Sequence, residues 1–474
     1  MRILLASLLA VLLSLSAALA EEATTLSLDE AINLALQNNH RVQSAEAQHE
    51  AAAALQHSAA ARFGPSLSAE GRLLYWDDAH DVDVFDYIAL NGTMRQAVDT
   101  LVGPIDPIEM RAETTKTLEL TAVQPLTPLY SVYQGYKARS AGEQATAGMT
   151  VRTRREVTFD TIEAYYRVLS VEKLRNVAAA AVETIQAHVT QAENYYEAEF
   201  IDKTDLLTAQ VALANAQEQL IRAENGLSLA KSALAHLIGL PLNTDLVLTD
   251  QAAALPVDLP ISAAEAQLRA EGRRLDLSAL NHQVEAMEAV ERLSWWQLTP
   301  QVAAIGRYQH NEGIILYEED EMFVGLALEW NFWEWGRKYF EAQAAGAQTK
   351  QARIRRNEVS ELIHLQIKQK FQELQSAKQR YEVTAQAVAR AEENLRIQRL
   401  RFEEGLTDSV DVLDAQTLLT QARGNKISAQ YDVLTQYAAL KLAMGEDPRD
   451  AVIPPLAAPA AETVAPVEKA AKPA

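Results

Sequence analysis

One long segment occurs twice in the chain, and this duplication constrains the fold more than any other feature. The segment from Phe402 to Gly445 aligns without a gap on the segment from Tyr196 to Gly239, which lies 206 residues earlier. Pairs of identical residues at this offset include Asp205/Asp411, Leu207/Leu413, Gln210/Gln416 and Gly239/Gly445. A repeat of this length predicts a fold built from two similar halves.

The earlier part of each half repeats at a second offset. At 235 residues, Ser27 and Pro65 align with Ser262 and Pro300. The offset changes because an acidic stretch in the first half is 29 residues longer than its counterpart in the second. The predicted boundaries are 21–239 for the first repeat, 240–260 for a linker and 261–445 for the second repeat.

The first twenty residues predict a secretory signal peptide, 1–20. Arg2 precedes an apolar run, and Ala18-Leu19-Ala20 offers a cleavage site of small residues. The run is shorter than the ~20 residues that a membrane-spanning helix needs. The chain has no cysteine, which excludes disulfides and thiolate metal sites. Its formal charge of −21 argues against nucleic acid, which binds through cationic side chains.

Hydrophobic periodicity predicts the same order of elements in both halves: helix, strand, acidic loop, strand, very long helix, turn and helix. Ser27 and Glu30 form a capping-box pattern at the first helix start. The long helices have apolar residues at steps of three and four, which is coiled-coil spacing. The predicted strands are 65–75, 115–124, 300–310 and 322–331, and the predicted helices are 28–63, 132–197, 204–238, 263–299, 337–402 and 408–444. An Ala- and Pro-rich tail, 446–474, is predicted to be disordered.

The four predicted strands have the length of strands that cross a bilayer, ~9–11 residues. Their apolar residues share one face, whereas Glu70, Arg72, Glu119 and Arg307 lie on the other. A sheet in lipid must close, and the smallest such barrels have about eight strands. Several chains would therefore share one barrel. The alternative is a soluble four-stranded sheet that caps a helical bundle.

Two segments carry a family resemblance, LSLDEAINLALQNN (Leu26–Asn39) and DVLDAQTLLTQA (Asp411–Ala422). Together with the doubled layout, they resemble the TolC-type outer-membrane efflux protein family across nearly all of the mature sequence. The resemblance implies a mainly α fold with long coiled-coil-like helices forming a periplasmic α-barrel. It also implies a homotrimer whose strands form one twelve-strand membrane β-barrel in outer-membrane lipid. The implied function is a passive export duct of a tripartite efflux or type I secretion system, with a periplasmic adaptor and an inner-membrane pump as partners.

The resemblance also assigns residues to a periplasmic entrance. Asp411 and Asp414 correspond to aspartates that ring the entrance and bind cations, although a carboxylate at a helix N-terminus also simply stabilises the helix. Asp205 corresponds to a residue that holds the entrance shut with a tyrosine and an arginine. Phe402 and Thr407 occupy those partner positions, so this latch does not transfer as a salt bridge.

The turn Glu404-Gly405-Leu406 corresponds to the tip that contacts the adaptor. Glycine suits a helix-terminating turn with positive φ. The equivalent turn of the first repeat contains Glu199 and Phe200 and lacks the glycine, so the two turns are predicted to be unequal.

An aromatic cluster follows the fourth strand: Trp333, Trp335 and Tyr339. It fits an aromatic girdle at the membrane interface, with packing at a strand–helix junction as the alternative. No catalytic, cofactor-binding or metal-binding motif is present, so no enzymatic activity is expected. The rival functions are a secreted coiled-coil spacer without a channel and a periplasmic adaptor.

Overall fold

The computed structural model describes residues 24–83, 88, 92–103, 107–249, 262–315 and 317–451. The predicted signal peptide, part of the predicted linker and most of the predicted tail lie outside the described residues. The helices are α1 (Leu28–Asn38), α2 (His40–Ala61), α3 (Gly92–Val102), α4 (Leu129–Glu197), α5 (Lys203–Leu237), α6 (Ala263–Glu271), α7 (Leu275–Trp296), α8 (Arg337–Glu403) and α9 (Ser409–Ala443). The strands are β1 (Thr24–Leu26), β2 (Ser66–Tyr75), β3 (His80–Val82), β4 (Ile108–Pro125), β5 (Leu246–Leu248), β6 (Gln301–Ile314) and β7 (Asp320–Glu329).

The chain forms two compact units that do not coincide with the two sequence repeats. The first unit takes in the described residues of Met1–His49, Thr146–Ala279 and Asn357–Ala474. The second takes in those of Glu50–Ala145 and Leu280–Arg356. Each repeat therefore contributes to both units. In the described part of the chain, no helix is both long enough and apolar enough to cross a bilayer.

The first unit is helical and buries its core along the seams of the long helices. One cluster surrounds Tyr165, whose hydroxyl donates to the Leu26 carbonyl at 3.0 Å. The predicted capping box is confirmed: Glu30 N donates to Ser27 Oγ at 3.3 Å, and Ser27 N donates to Glu30 Oε2 at 2.8 Å. β1 and β5 pair in parallel as a small sheet.

The prediction of one continuous helix over 28–63 is wrong, because the helix breaks at Asn39. Asn39 has extended backbone angles, its Oδ1 accepts from Arg41 N at 2.9 Å, and its Nδ2 donates to Leu237 O at 3.0 Å. Asparagine caps a helix start better than it occupies an interior. The helix predicted over 263–299 breaks at the equivalent place, where Arg274 Nη1 donates to Ala443 O at 2.8 Å. In each repeat, a polar side chain at the break satisfies the end of the last helix.

The last helix also orders the beginning of the predicted tail. Glu446 accepts from Lys441 Nζ at 2.7 Å and from Arg273 Nη1 at 2.6 Å. A 3₁₀ turn follows at Pro448–Ala451. Disorder from residue 446 is therefore wrong for these first residues, because ion pairs hold Glu446 to α9 and to the break between α6 and α7.

The second unit contains an antiparallel sheet in the order β2-β4-β6-β7, with β3 paired to β4. β4 begins seven residues before the predicted strand, at Ile108, since its first residues pair with β3. The acidic stretch of the first repeat supplies β3 and also α3, and neither element was predicted. The other three long strands differ from their predicted ranges by at most four residues at either end.

Candidate functional site

Two turns with the same backbone hydrogen bonds lie in the first unit, one between α4 and α5 and one between α8 and α9. In the first turn, Phe200 N donates to Tyr195 O at 2.8 Å. At the repeat-related place in the second, Leu406 N donates to Arg401 O at 2.8 Å. This closure is typical of a helix C-terminus whose last turn contains one left-handed residue.

The left-handed residue is Glu199 in the first turn, with φ 61°, and Gly405 in the second, with φ 70°. The prediction that the turns are unequal is therefore wrong for the backbone. Glu199 adopts the glycine conformation, which costs an ordinary side chain ~1–2 kcal/mol. Phe200 and Leu406 follow these residues and are 80% and 63% exposed. Each turn thus presents one apolar side chain to its surroundings.

An acidic cleft of about 590 Å³ lies between the two turns. The carboxylates that line it are Glu199, Asp202, Asp205, Glu403, Glu404 and Asp408. Burial raises the pKa of Asp205, and the neighbouring carboxylates of Asp408 and Asp202 raise this pKa further. Asp205 makes no ion pair with any residue in the described part of the chain. The cleft therefore concentrates negative charge that the first unit does not neutralise.

Asp411 and Asp414 are exposed at the start of α9. Three residues apart on a helix, they lie on one face. Asp411 accepts a hydrogen bond from Thr407 Oγ1. The N-cap residue is Asp408, and its side chain makes no capping hydrogen bond. Neither predicted ring aspartate is therefore the N-cap of α9, and both face outward.

Phe402, at the predicted latch position, is buried beside two rings. Its centroid lies 5.7 Å from the ring of Tyr195 and 4.8 Å from the ring of His188. A hydrogen bond joins His188 Nε2 to Ser409 Oγ at 2.6 Å. Burial lowers the pKa of His188 to about 4, and the nearby guanidinium of Arg399 acts in the same direction. Packing and a neutral polar pair therefore occupy the place where the resemblance implied a salt bridge.

Sequence reasoning missed four residues of this region, for different reasons. Asp202 and Asp408 are repeat mates in front of helices, so the usual N-cap signal could have found them. His188 and Ser409 carry no such signal, because a single histidine beside an apolar seam looks like ordinary core.

The sheet of the second unit has one apolar and one polar face. An apolar row crosses the four long strands through Leu67, Ala122, Gly306 and Val324. The polar row on the other face consists of Glu70, Glu119, Gln309 and Glu321. The apolar face is open, and Val324 is 81% exposed. On the polar face, Arg307 lies 3.1 Å from Glu119. Exposed apolar surface of this kind indicates contact with lipid or protein.

The predicted aromatic cluster is exposed in the second unit after β7. Trp333 and Trp335 pack edge to face at 5.6 Å, and Tyr339 packs against Trp295 at 5.7 Å. All three predicted aromatic residues are nevertheless exposed in the single chain. Among the described residues, no group of three or more His, Asp or Glu side chains is placed to hold a metal ion.

Comparison with known proteins identifies both the fold and the family. The sequence model for "Outer membrane efflux protein" matches residues 31–240 and 268–446. The comparison with curated proteins gives no significant match.

Several solved outer-membrane channels have a similar structure. The outer-membrane channel OprN is 18% identical, with 89% of this chain and 90% of that chain covered and a TM-score of 0.74. VceC from Vibrio cholerae is 19% identical, with 88% and 96% covered and a TM-score of 0.73. CmeC from Campylobacter jejuni is 15% identical, with 88% and 85% covered and a TM-score of 0.72. These likenesses show the fold, and the family match covers most of the sequence. The chain therefore belongs to the outer membrane efflux protein family and has the fold of a TolC-type outer-membrane channel.

Proposed function

We propose that this protein is the passive outer-membrane duct of a tripartite efflux or type I secretion system. It acts as a homotrimer whose periplasmic entrance is lined by aspartates. The observation that carries the proposal is a mismatch between the two repeats. Equivalent helix faces are buried in the second repeat and exposed in the first, so the single chain is an incomplete ring.

The mismatch is clearest between α9 and α5. Leu413 on α9 is 7% exposed and belongs to a core cluster with Ile185 of α4. Its repeat mate on α5, Leu207, is 50% exposed, and Gln210 is also exposed, whereas its repeat mate Gln416 is buried. Because α5 and α9 share one sequence pattern, we expect the exposed face of α5 to pack against a helix similar to the one that covers α9. A second copy supplies the partner of α5, and such head-to-tail contacts close into a ring.

The repeat also indicates which residues meet between copies. Within the chain, α9 contacts α4 at the His188–Ser409 hydrogen bond. The repeat mates of this pair are Asn394 on α8 and Lys203 on α5. By the same symmetry, α5 of one copy packs on α8 of the next.

Charge supports this assignment. Gly424 of α9 and Leu174 of α4 are close neighbours within the chain, since a Cβ added at Gly424 would lie 3.5 Å from the Leu174 side chain. The repeat mates of these two positions are Glu218 and Arg380, which carry opposite charges. Within one chain they bond to Arg222 and Asp432 instead, as surface ion pairs that contribute little. Exchange of partners on assembly is therefore inexpensive.

Lipid is the proposed occupant of the open apolar face of the sheet. Three copies of four strands give twelve, which is enough to close a membrane barrel. The polar face of the sheet, which carries Glu119 and Arg307, then faces the lumen. Trp333, Trp335 and Tyr339 lie at the bilayer interface, where aromatic residues are enriched.

The acidic end of the first unit is the proposed periplasmic entrance. In a trimer, Asp411 and Asp414 give a ring of carboxylates that attracts cations. Asp205, Phe402 and Thr407 form the gate neighbourhood, which is held by packing and by the Thr407–Asp411 hydrogen bond.

The two turns next to this entrance are the proposed docking site of the periplasmic adaptor. Phe200 and Leu406 are the apolar contacts, with Glu199, Glu404 and Gly405 beside them. The adaptor connects the duct to an inner-membrane pump, which supplies the energy. No catalysis by the duct is proposed.

The native mass of the protein, extracted by detergent from isolated outer membranes, tests this function. A mass of three protomers after correction for bound detergent is expected. A soluble monomer confined to the periplasm would overturn the proposal in favour of a secreted coiled-coil spacer.

A further inference from the structure

A single polar contact ties α4 of the first repeat to the first residue of α9 in the second. His188 Nε2 and Ser409 Oγ are 2.6 Å apart, and both side chains are buried. The Phe402 ring covers the imidazole at a centroid distance of 4.8 Å. Ser409 lies one residue after the Asp408 N-cap and two residues before Asp411. The contact therefore fixes the helix turn that carries the proposed entrance carboxylates.

The surroundings of His188 tolerate the neutral imidazole and oppose the imidazolium. Arg399 on α8 is the charged group that acts on the ring, and it makes no ion pair within the described residues. α9 contributes its positive N-terminal end, which also disfavours a cation. On α4 itself, the neighbouring titratable side chain is Tyr195, which stacks on Phe402. The carboxylates of Asp408 and Asp411 belong to the same turn of α9, but both are exposed to solvent.

We propose that the His188–Ser409 pair is an acid-labile clasp, which holds the first turn of α9 against α4 while His188 is neutral and releases that turn when His188 is protonated. The effect of this release on the channel rests on the proposed function, because the released turn carries Asp411 of the proposed entrance and lies beside the proposed adaptor-docking turns. The clasp itself is a property of the first unit and can be measured without any channel activity.

The sign of the effect follows from the two states of His188. In the closed state its pKa is about 4, whereas an exposed histidine has the ordinary value of 6.5. The open state therefore binds more protons between these values, so the closed state is most stable above pH 6.5 and loses stability as the pH falls towards 4. Opening rises by up to tenfold per pH unit in this window, and by roughly 20-fold between pH 7 and pH 5.

Asp205 responds to acid in the opposite sense. Its pKa is raised in the folded unit by burial and by Asp408 and Asp202, so protonation relieves repulsion and favours closure. The direction of the acid response therefore distinguishes His188 from Asp205. Protonation of His188 promotes opening, whereas protonation of Asp205 promotes closure. The repeat mates of the clasp are Asn394 and Lys203, so the repeat-related contact contains no histidine. The acid response is confined to the α4–α9 contact of each chain.

Hydrogen exchange of the Asp411 amide, which donates to the Asp408 carbonyl at 3.3 Å, tests the clasp in the detergent-solubilised full-length protein. After correction for intrinsic exchange, opening at this amide should be about 20-fold greater at pH 5 than at pH 7 in the wild type. His188→Gln keeps a hydrogen-bonding side chain and cannot gain a proton, so its opening should not increase between pH 7 and pH 5. Arg399→Gln changes an exposed residue and should weaken the acid response, because it removes the repulsion of the imidazolium.

His236→Gln is the matched control, since His236 is an exposed histidine of the same unit. This variant should keep the full response. Equal protection of the wild type at both pH values, or a full response in His188→Gln, would overturn the clasp. Bilayer conductance at the same pH values reports separately on the duct. If exchange depends on acid but the protein forms no channel, the clasp is supported and the proposed function is refuted.

Discussion

Glu199 has a strained backbone and also lines the acidic cleft. Substitutions at this position can therefore distinguish the effect of backbone strain on the turn from the effect of charge repulsion. Glu199→Gly should relieve ~1–2 kcal/mol of left-handed strain, partly offset by ~0.5–1 kcal/mol of glycine backbone entropy. A net stabilisation of the turn by about 0.5–1 kcal/mol is expected. The readout is slower exchange of the Phe200 amide, which closes the turn on Tyr195 O.

Glu199→Ala is the control for this substitution, since it removes the carboxylate and keeps a Cβ at φ 61°. It should leave the exchange of the Phe200 amide close to that of the wild type. If Glu199→Ala protects the turn as much as Glu199→Gly, charge repulsion in the cleft and not backbone strain destabilises the turn.

Asp411 and Asp414 lie on one exposed face of α9 and, unlike the other carboxylates of this region, do not line the acidic cleft. Replacing both with alanine should weaken the block of single-channel current by multivalent cations. The physical reason is the loss of six carboxylates from the proposed entrance of the proposed trimer. Single-channel recording in planar bilayers measures the block. Glu403→Ala is the matched control, because it removes an exposed carboxylate that lines the cleft from α8.

A block that is as strong in the double variant as in the wild type would show that Asp411 and Asp414 do not line the conducting path. A loss of block in Glu403→Ala as large as in the double variant would assign the effect to the cleft as a whole.

At the scale of secondary-structure elements, two glycines with positive φ make it possible to distinguish the cost of backbone strain from the cost of a steric clash. Gly445 has φ +72°, and an added Cβ would lie 2.7 Å from Arg273 O, at the break between α6 and α7. Gly405 has φ +70° with no atom within 4 Å of that position. Gly405→Ala should cost ~1 kcal/mol, and Gly445→Ala about 3 kcal/mol, since a clash adds to the strain.

Apparent melting temperatures from the helical circular dichroism signal compare the two variants under one set of conditions. The drop should be clearly larger for Gly445→Ala. Equal drops would mean that Arg273 moves aside without cost and that the junction between α6, α7 and the end of α9 is soft.

These elements also show what the sequence could and could not predict. The alternation from Leu67 to Tyr75 and the apolar seams of the long helices predicted β2, α4 and α8, because long periodic segments bury one face whatever their neighbours are. The break at Asn39 was missed because its reason is distant, the Leu237 carbonyl at the end of α5. The proposed entrance aspartates came from family resemblance. The His188–Ser409 contact joins two residues that are 221 positions apart in the sequence, so it left no local pattern.

At the scale of the whole molecule, the two repeats supply a prediction about assembly that a single chain cannot satisfy. Within the chain, the second repeat packs α9 on α4 of the first. No α4-like partner covers the equivalent face of α5 in the described unit, as the exposed Leu207 and Gln210 show. A ring of copies gives every α5 the same kind of neighbour that α9 already has.

Cross-linking tests this geometry directly, because the native chain has no cysteine to interfere. Lys203→Cys combined with Asn394→Cys should give covalent dimers and trimers with a short thiol-reactive cross-linker, since these positions are the repeat mates of Ser409 and His188. Lys203→Cys combined with Glu393→Cys is the matched control, with the second thiol turned by ~100° around α8. Denaturing gels measure the products. Cross-linking of the control but not of the predicted pair would mean that α5 meets α8 through another face, and monomers in both would show that α5 contacts no second copy.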